Sequence, residues 1–231
     1  MISRMGLLKR KEGTTQEEFK DYWLNVHGPI AAEMKNLRHY SQHAVCDNEH
    51  RHPLGQGPII IDGYSELQFD SYGDMVEGVM SLDGKGADDV PKFADPHNPI
   101  LVCVKKYVKH TPKYLLNGDK PLIKRVSFMG RADGVSAEEW MYQWWDVHTE
   151  MVHTMPGYVG YAQNLVIDRI VNGVSVHYDE LPVEGVVEFW FENMDAFNEC
   201  YDSPEFKRTS QHGGEFIGAI NTYLTEVHDI L

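Results

Sequence analysis

The chain has 231 residues, 42% of them hydrophobic, which is enough apolar mass for one large or two small cores and excludes disordered and collagen-like classes. With 21 Lys and Arg against 35 Asp and Glu the net charge is −14, so nucleic acid and anionic membranes are not expected partners. The longest aliphatic runs fall far short of the ~20 residues of a membrane span, the amino terminus lacks the apolar core of a signal peptide, and a cytoplasmic protein is expected.

The elements follow from punctuation and period. A short strand is predicted over residues 4–10. Thr15-Gln16-Glu17-Glu18 then has the form of a capping box and starts a helix. Phe19, Tyr22, Trp23 and Val26 lie at the spacing of one apolar helical face, and Gly28-Pro29 interrupts the pattern. Residues 37–46 and 59–69 carry aromatic and β-branched side chains and read as strands. A second helix over about 72–82 and a closing strand over 100–108 complete the half. A linker about residues 111–121 has two prolines and weak periodicity.

The second half repeats the first. An offset of 121 positions sets Gly13 on Gly134, Glu18 on Glu139, Trp23 on Trp144, His27 on His148, Tyr40 on Tyr161 and Gln42 on Gln163. One added residue then aligns Gly63 with Gly185, Glu66 with Glu188 and Met75 with Phe197. Strands are predicted over 158–167, 185–191 and 220–227, with helices from Ser136 and over about 194–201. The order βαββαβ, occurring twice, predicts an α+β fold of two ferredoxin-like modules, residues 1–110 and 122–231. Each sheet has one face covered by helices. Packing the bare faces together gives a pseudo-dimeric α+β barrel whose interior is expected to hold a small ligand.

The run from Leu7 to Pro29, ending Tyr22-Trp23-Leu24-Asn25-Val26-His27-Gly28-Pro29, followed by Tyr40-Ser41-Gln42, resembles the opening of an EthD-domain protein of the dimeric α+β barrel superfamily. Glu66-Leu67-Gln68-Phe69, Phe93-Ala94-Asp95 and the strand ending Lys105-Lys106-Tyr107-Val108 resemble the same domain's later part. The second half retains Trp144-Trp145-Asp146-Val147-His148 and Tyr161-Ala162-Gln163. The resemblance implies chemistry without a cofactor on small aromatic-derived or lactone compounds, as in methylmuconolactone isomerases and polyketide cyclases or dehydratases. Other barrels of the superfamily bind haem or act as cofactor-free oxygenases. In the isomerase branch a helix-end His, a second-strand Tyr and a loop His do acid/base work. These fall on His27, Tyr40 and His52, with His50 as the alternative to His52; His148, Tyr161 and His177 match in the second half.

The residues support the same assignment on chemical grounds. His27 continues the helical face of Phe19 and Trp23, Tyr40 and Gln42 share one strand face, and a neutral His with a Tyr donor suits proton abstraction beside a carbonyl. A helix-end His also explains itself as a carbonyl cap. Candidate catalytic residues are His27 and Tyr40 and, as the resemblance implies, His52; candidate substrate contacts are Trp23, Gln42, His50, His97, His148, Tyr161 and His177. No metal-ligand spacing on one helix turn, phosphate loop, nucleophile elbow or dinucleotide fingerprint is present. Cys46, Cys103 and Cys200 are scattered and read as reduced. The expected function is a cofactor-independent lyase or isomerase acting on a small-molecule substrate, with a haem or small-ligand carrier and a cofactor-free oxygenase as alternatives; homodimerisation is left open.

Overall fold

The computed structural model describes residues 1–116 and 120–231; Asn117, Gly118 and Asp119 of the expected linker lie outside the described residues. The first half contains β1 (Ile2–Leu8), α1 (Gln16–Tyr22), a π-helical turn (Trp23–His27), α2 (Gly28–Ala32), β2 (His39–Asp47), β3 (Gly63–Phe69), α3 (Tyr72–Ser81), α4 (Lys85–Asp89) and β4 (Ile100–Lys109). After the short α5 (Lys113–Leu116), the second half contains β5 (Ile123–Arg131), α6 (Ala137–Tyr142), a second π-helical turn (Gln143–His148), α7 (Thr149–Val152), β6 (Tyr158–Val171), β7 (Val174–Ser175), β8 (Gly185–Phe191), α8 (Met194–Asp202), α9 (Pro204–Gly213) and β9 (Ile217–Asp229). No helix among the described residues is long and apolar enough to cross a membrane.

Both helix starts form as the sequence dictates. Thr15 accepts from the Glu18 amide while the Glu18 carboxylate accepts from Thr15, and Ser136 accepts from the Glu139 amide. The helices then depart from the expected 3.6 period. In the first π-turn the Gly28 amide bonds to the Trp23 carbonyl, and the wider turn rotates later side chains around the axis. Val26, expected on the apolar face, is 42% exposed as a result, whereas Phe19 and Trp23 are buried. Gly28-Pro29 also fails to end the helix. Pro29 stands in the first turn of α2, directly after Gly28, where the missing amide hydrogen is tolerated.

The strands form one antiparallel sheet in the order β4-β1-β3-β2-β9-β5-β8-β6, and β4 pairs with β6 to close it. The halves therefore join edge to edge, through β2–β9 and β4–β6, around a shared interior. Along β1, Met5 and Leu7 pack in that interior cluster, while Arg4, Gly6 and Leu8 face the helices. At the helix face Trp23 lies on β3: a Cβ at Gly63 would stand 2.7 Å from its ring, and one at Gly185 would stand 2.7 Å from Trp144. Only glycine lets these helices seat so closely. Burying a Trp of roughly 150–250 Å² at about 25 cal/mol per Å² contributes on the order of 4–6 kcal/mol before entropy.

The interior centre is charged, which the sequence did not suggest. Glu66 and Glu188, equivalent in the repeat, are clamped by Lys105 and Lys124: Lys105 pairs with Glu66 and lies 2.6 Å from Glu188, and Lys124 lies 2.5 Å from Glu188 and 3.9 Å from Glu66. The Tyr64 hydroxyl and Asn164 amide also donate to Glu188. Burial would raise the Glu188 carboxyl, but Lys105 and Lys124 hold it well below the usual carboxylate range. The space expected to take a ligand at the barrel centre is filled by this ring, and a polar recess of about 330 Å³ remains beside it, lined by His39, Lys105, Lys124 and Trp190 among others.

Removing one member of a buried, balanced set leaves an uncompensated charge. Glu188→Ala should therefore cost about 3–5 kcal/mol in urea unfolding, whereas Asp70→Asn, which breaks the exposed Arg38–Asp70 pair, should cost below about 1 kcal/mol. Equal losses would contradict a desolvated ring.

Candidate active site

A cavity of about 410 Å³ lies in the first half between the sheet and the helices that cover it. Its walls are mostly apolar, from Leu8, Trp23, Ala31, Met34, Leu82 and Ile100; the polar groups are few, chiefly Arg4, His27, Ser65 and Asn98. That mixture, an apolar concavity with a few converging polar side chains, is the usual form of a small-molecule site.

His27 ends the π-turn and is held from two sides. Its Nδ1 lies 3.0 Å from Asp89 Oδ2, and its ring packs 4.8 Å from Phe93. Asp89, the last residue of α4, also accepts from the Tyr22 hydroxyl and Lys92 Nζ, each at 3.0 Å. Burial would raise the Asp89 carboxyl, but the bonds from Lys92, His27 and Tyr22 hold it below its ordinary value. With a carboxylate on Nδ1, that nitrogen carries the hydrogen and Nε2 keeps a lone pair. Burial lowers the His27 pKa, Asp89 opposes this, and the nearby positive charge of Arg4 adds to the lowering. A neutral imidazole oriented by a carboxylate is a competent general base.

The structure distributes the predicted residues unevenly. Trp23 and His27 line the first-half cavity. Tyr40, 1% exposed, and Gln42 sit behind it: Gln42 Nε2 donates to the Trp23 carbonyl and to the Tyr40 hydroxyl, both at 2.8 Å, so its amide is spent on the π-turn. Burial pushes the Tyr40 hydroxyl up to about 12. His97 is exposed beside the cavity residues Pro96 and Asn98 and bonds to Asn172. His50 bonds to the Leu54 carbonyl within its own loop, and His177 is exposed and lines neither helix-face cavity.

His52 is separated from His27 and Tyr40, contrary to the expected grouping. The loop after β2 crosses to the other half, where Gly55 and Ile220 bond through their backbones and His52 enters the second-half cavity with His148 and Tyr161. The hairpin after β6 makes the reciprocal crossing, and Ile170, Asn172 and Gly173 wall the first-half cavity. The second-half cavity measures only about 40 Å³, filled by Met129, Met155, Phe189, Phe206 and Ile217. It has room for a few waters. His148 faces His212 Nδ1 to Nδ1 at 3.1 Å where the first half has the His27–Asp89 pair, and Thr149 replaces Gly28 and takes the Gln163 amide.

Sequence reasoning missed Arg4 and Asp89. Asp89 stands on α4, a five-residue helix too short to show a period. Arg4 had an available signal, because the 121-residue offset that aligns His27 with His148 also sets Arg4 on Arg125.

Barrel closure and a cavity on the helix face define a closed α+β barrel with a recess under its helices. The EthD domain model matches residues 11–97 and again 132–219; the chain belongs to the EthD-domain family and carries two copies of the domain. Among solved structures, an anthrone oxidase-like protein superposes with a TM-score of 0.64 at 8% identity, covering 99% of this chain and 93% of its own. A Lactobacillus acidophilus protein assigned as a monooxygenase gives 0.56 at 14% identity, covering 98% and 93%. A chlorite dismutase variant from Candidatus Nitrospira defluvii gives 0.52 at 8%, covering 99% and 91%. At these identities the likeness is one of fold. No curated protein sequence matches the chain at a significant level.

Burial carries His52 and His148 each down to about 3, whereas both titrate near 6.5 when unfolded. The unfolded chain thus binds more protons between those values; stability is full above pH 6.5 and falls as pH is lowered, by about 1.4 kcal/mol per pH unit for each group. His148→Gln should remove one such increment from the slope of unfolding free energy between pH 6 and 4. An unchanged slope would mean that His148 is protonated in the fold.

Proposed function

We propose that the first-half cavity is the active site of a cofactor-independent lyase or isomerase acting on a small aromatic-derived or lactone compound, in a chain of two ferredoxin-like modules, residues 1–110 and 122–231. The observation that carries this reading is the His27–Asp89 pair at the wall of a largely apolar cavity. His27 Nε2 removes a proton from carbon beside a carbonyl, and the C–H electron pair moves into the carbonyl to form an enolate. Asp89 positions the ring and stabilises the imidazolium that results. Return of the proton to a different carbon completes an isomerisation; expulsion of a β-leaving group completes an elimination. The apolar walls exclude water and so keep the intermediate from being quenched. Tyr40 acts from behind the wall, through Gln42 and the π-turn.

The cavity residues do not fit haem. A haem brings two carboxylates, whereas Arg4 is the one permanent cation among the lining residues, and 410 Å³ lies toward the low end of small-molecule sites. A cofactor-free oxygenase would share the first step, since dioxygen reacts with the carbanion after deprotonation; the names of the anthrone oxidase-like and monooxygenase neighbours favour keeping oxygen uptake in the same assay.

Deuterium exchange into muconolactone, a methylmuconolactone and anthrone, followed by proton NMR in D2O with dissolved oxygen recorded, tests the reading. His27→Ala should lower exchange by ~10²–10⁴-fold with the fold retained. Asp89→Asn should lower it less and move the acid limb of the pH profile to lower pH, because Asp89 raises the His27 pKa. Exchange on none of the three, or a His27→Ala rate within twofold of the parent, would remove the proposal.

A further inference from the structure

The first-half cavity contains a cation that the chain does not neutralise. Arg4 lies on β1 with its side chain toward the helices, and among the described residues no carboxylate comes within ion-pair distance of it and no hydrogen bond reaches its guanidinium. Arg4 is half-buried at the cavity wall, and partial loss of water depresses its pKa to about 10. A partly desolvated cation with no counter-charge is a cost to the fold. The other polar side chains of the wall are of the same kind. Ser65 Oγ already accepts from the Gly6 amide, leaving its hydroxyl hydrogen to give. Asn98 uses its oxygen on the Lys9 amide, and its buried Nδ2 has no acceptor among the described residues. What Arg4, Ser65 and Asn98 leave free is donor capacity.

The repeat supplies an internal comparison. Arg125 occupies the same register on β5, also without a carboxylate, but its surroundings seal it. Its guanidinium lies 5.6 Å from the Phe189 ring and 5.5 Å from the Tyr201 ring, and it donates to the Thr222 hydroxyl at 3.5 Å. The strand registers set Leu67 opposite Arg4 where Phe189 stands opposite Arg125. They likewise set Ile100 where Thr222 stands, and the repeat offset sets Val79 where Tyr201 stands. In the first half, therefore, the two rings and the hydroxyl that cover the second arginine are replaced by aliphatic side chains, and Val79 and Ile100 line the open cavity.

We infer that Arg4 recognises a carboxylate on the substrate, so that the compounds processed at this site are small aromatic or lactone carboxylic acids. The inference rests on the first-half cavity being the substrate site, as proposed above. A planar guanidinium matches a carboxylate bidentately, and the adjoining donors of Ser65 and Asn98 suit the same acceptor. Arg4 is close enough to His27 to affect its titration, so a carboxylate seated on Arg4 holds the rest of the substrate beside the base. Arg125, with its position filled, is the spent copy of the same device.

Isothermal titration of the full chain with 1-naphthoate and with 1-naphthamide, which share shape and differ in charge, tests this. The parent should bind the acid at least tenfold more tightly than the amide. Arg4→Met should abolish that preference, Arg4→Lys should retain part of it, and Arg125→Met should leave it unchanged. An equal affinity of the parent for acid and amide, a measurement that needs no variant, would overturn the inference, as would a preference that survives Arg4→Met. Anthrone has no carboxylate, so its His27-dependent exchange separates the two proposals. Exchange without acid preference overturns only the role of Arg4; acid preference without exchange overturns only the reaction.

Discussion

A four-stranded sheet covered by helices on one face has two bare edges and one bare face, and the rest of this structure follows from how they are hidden. The chain pairs β2 with β9 and β4 with β6, so neither half keeps an edge and the two bare faces become one interior. Closure puts Glu66 and Glu188 in the middle of that interior with Lys105 and Lys124 between them. Neither half could bury its glutamate alone. The balanced set ties the halves together by register as well as by contact, because shifting any of its strands by one residue would turn that strand's member of the set outward.

With the centre of the interior filled by charge, the larger and more apolar cavity lies on the opposite face of the sheet, under the helices. That location explains the π-turns. An extra residue in one helical turn brings His27 round toward the cavity and turns Val26 out, and Gln42 ties down the carbonyl that the wide turn engages. Gln163 does the same for Trp144 in the second half. Residues that looked like a binding pair by strand parity are the supports of the π-turn that ends in His27.

The two halves have diverged in what they do with the same frame. Each sends the loop after its second strand across to the other half. The first half's loop delivers His52 and Leu54 to a region already crowded with aromatic rings, and the second half's hairpin delivers small and polar residues to the rim of an open cavity. Desolvation without compensation lowers His148, beside another histidine, to about 3, while Asp89 partly offsets the same effect at His27. One frame thus holds a charge-equipped cavity and a packed one.

Local pattern determined much of this protein. The capping box at Thr15, the apolar positions Phe19 and Trp23 and the alternation of Gly185–Phe191 follow from spacing, since a helix turn or strand pleat needs only neighbours in sequence. The repeat gave the duplication and the equivalence of His27 with His148. Tertiary structure decided what depends on atoms distant in the chain. Whether His27 meets a carboxylate depends on α4 folding back over 62 positions to present Asp89. Whether His52 joins it depends on which half its loop reaches, and whether a cavity stays open depends on a leucine or a phenylalanine standing opposite an arginine on the next strand. Periodicity carries no record of such meetings, because they are fixed by packing between elements and not within them.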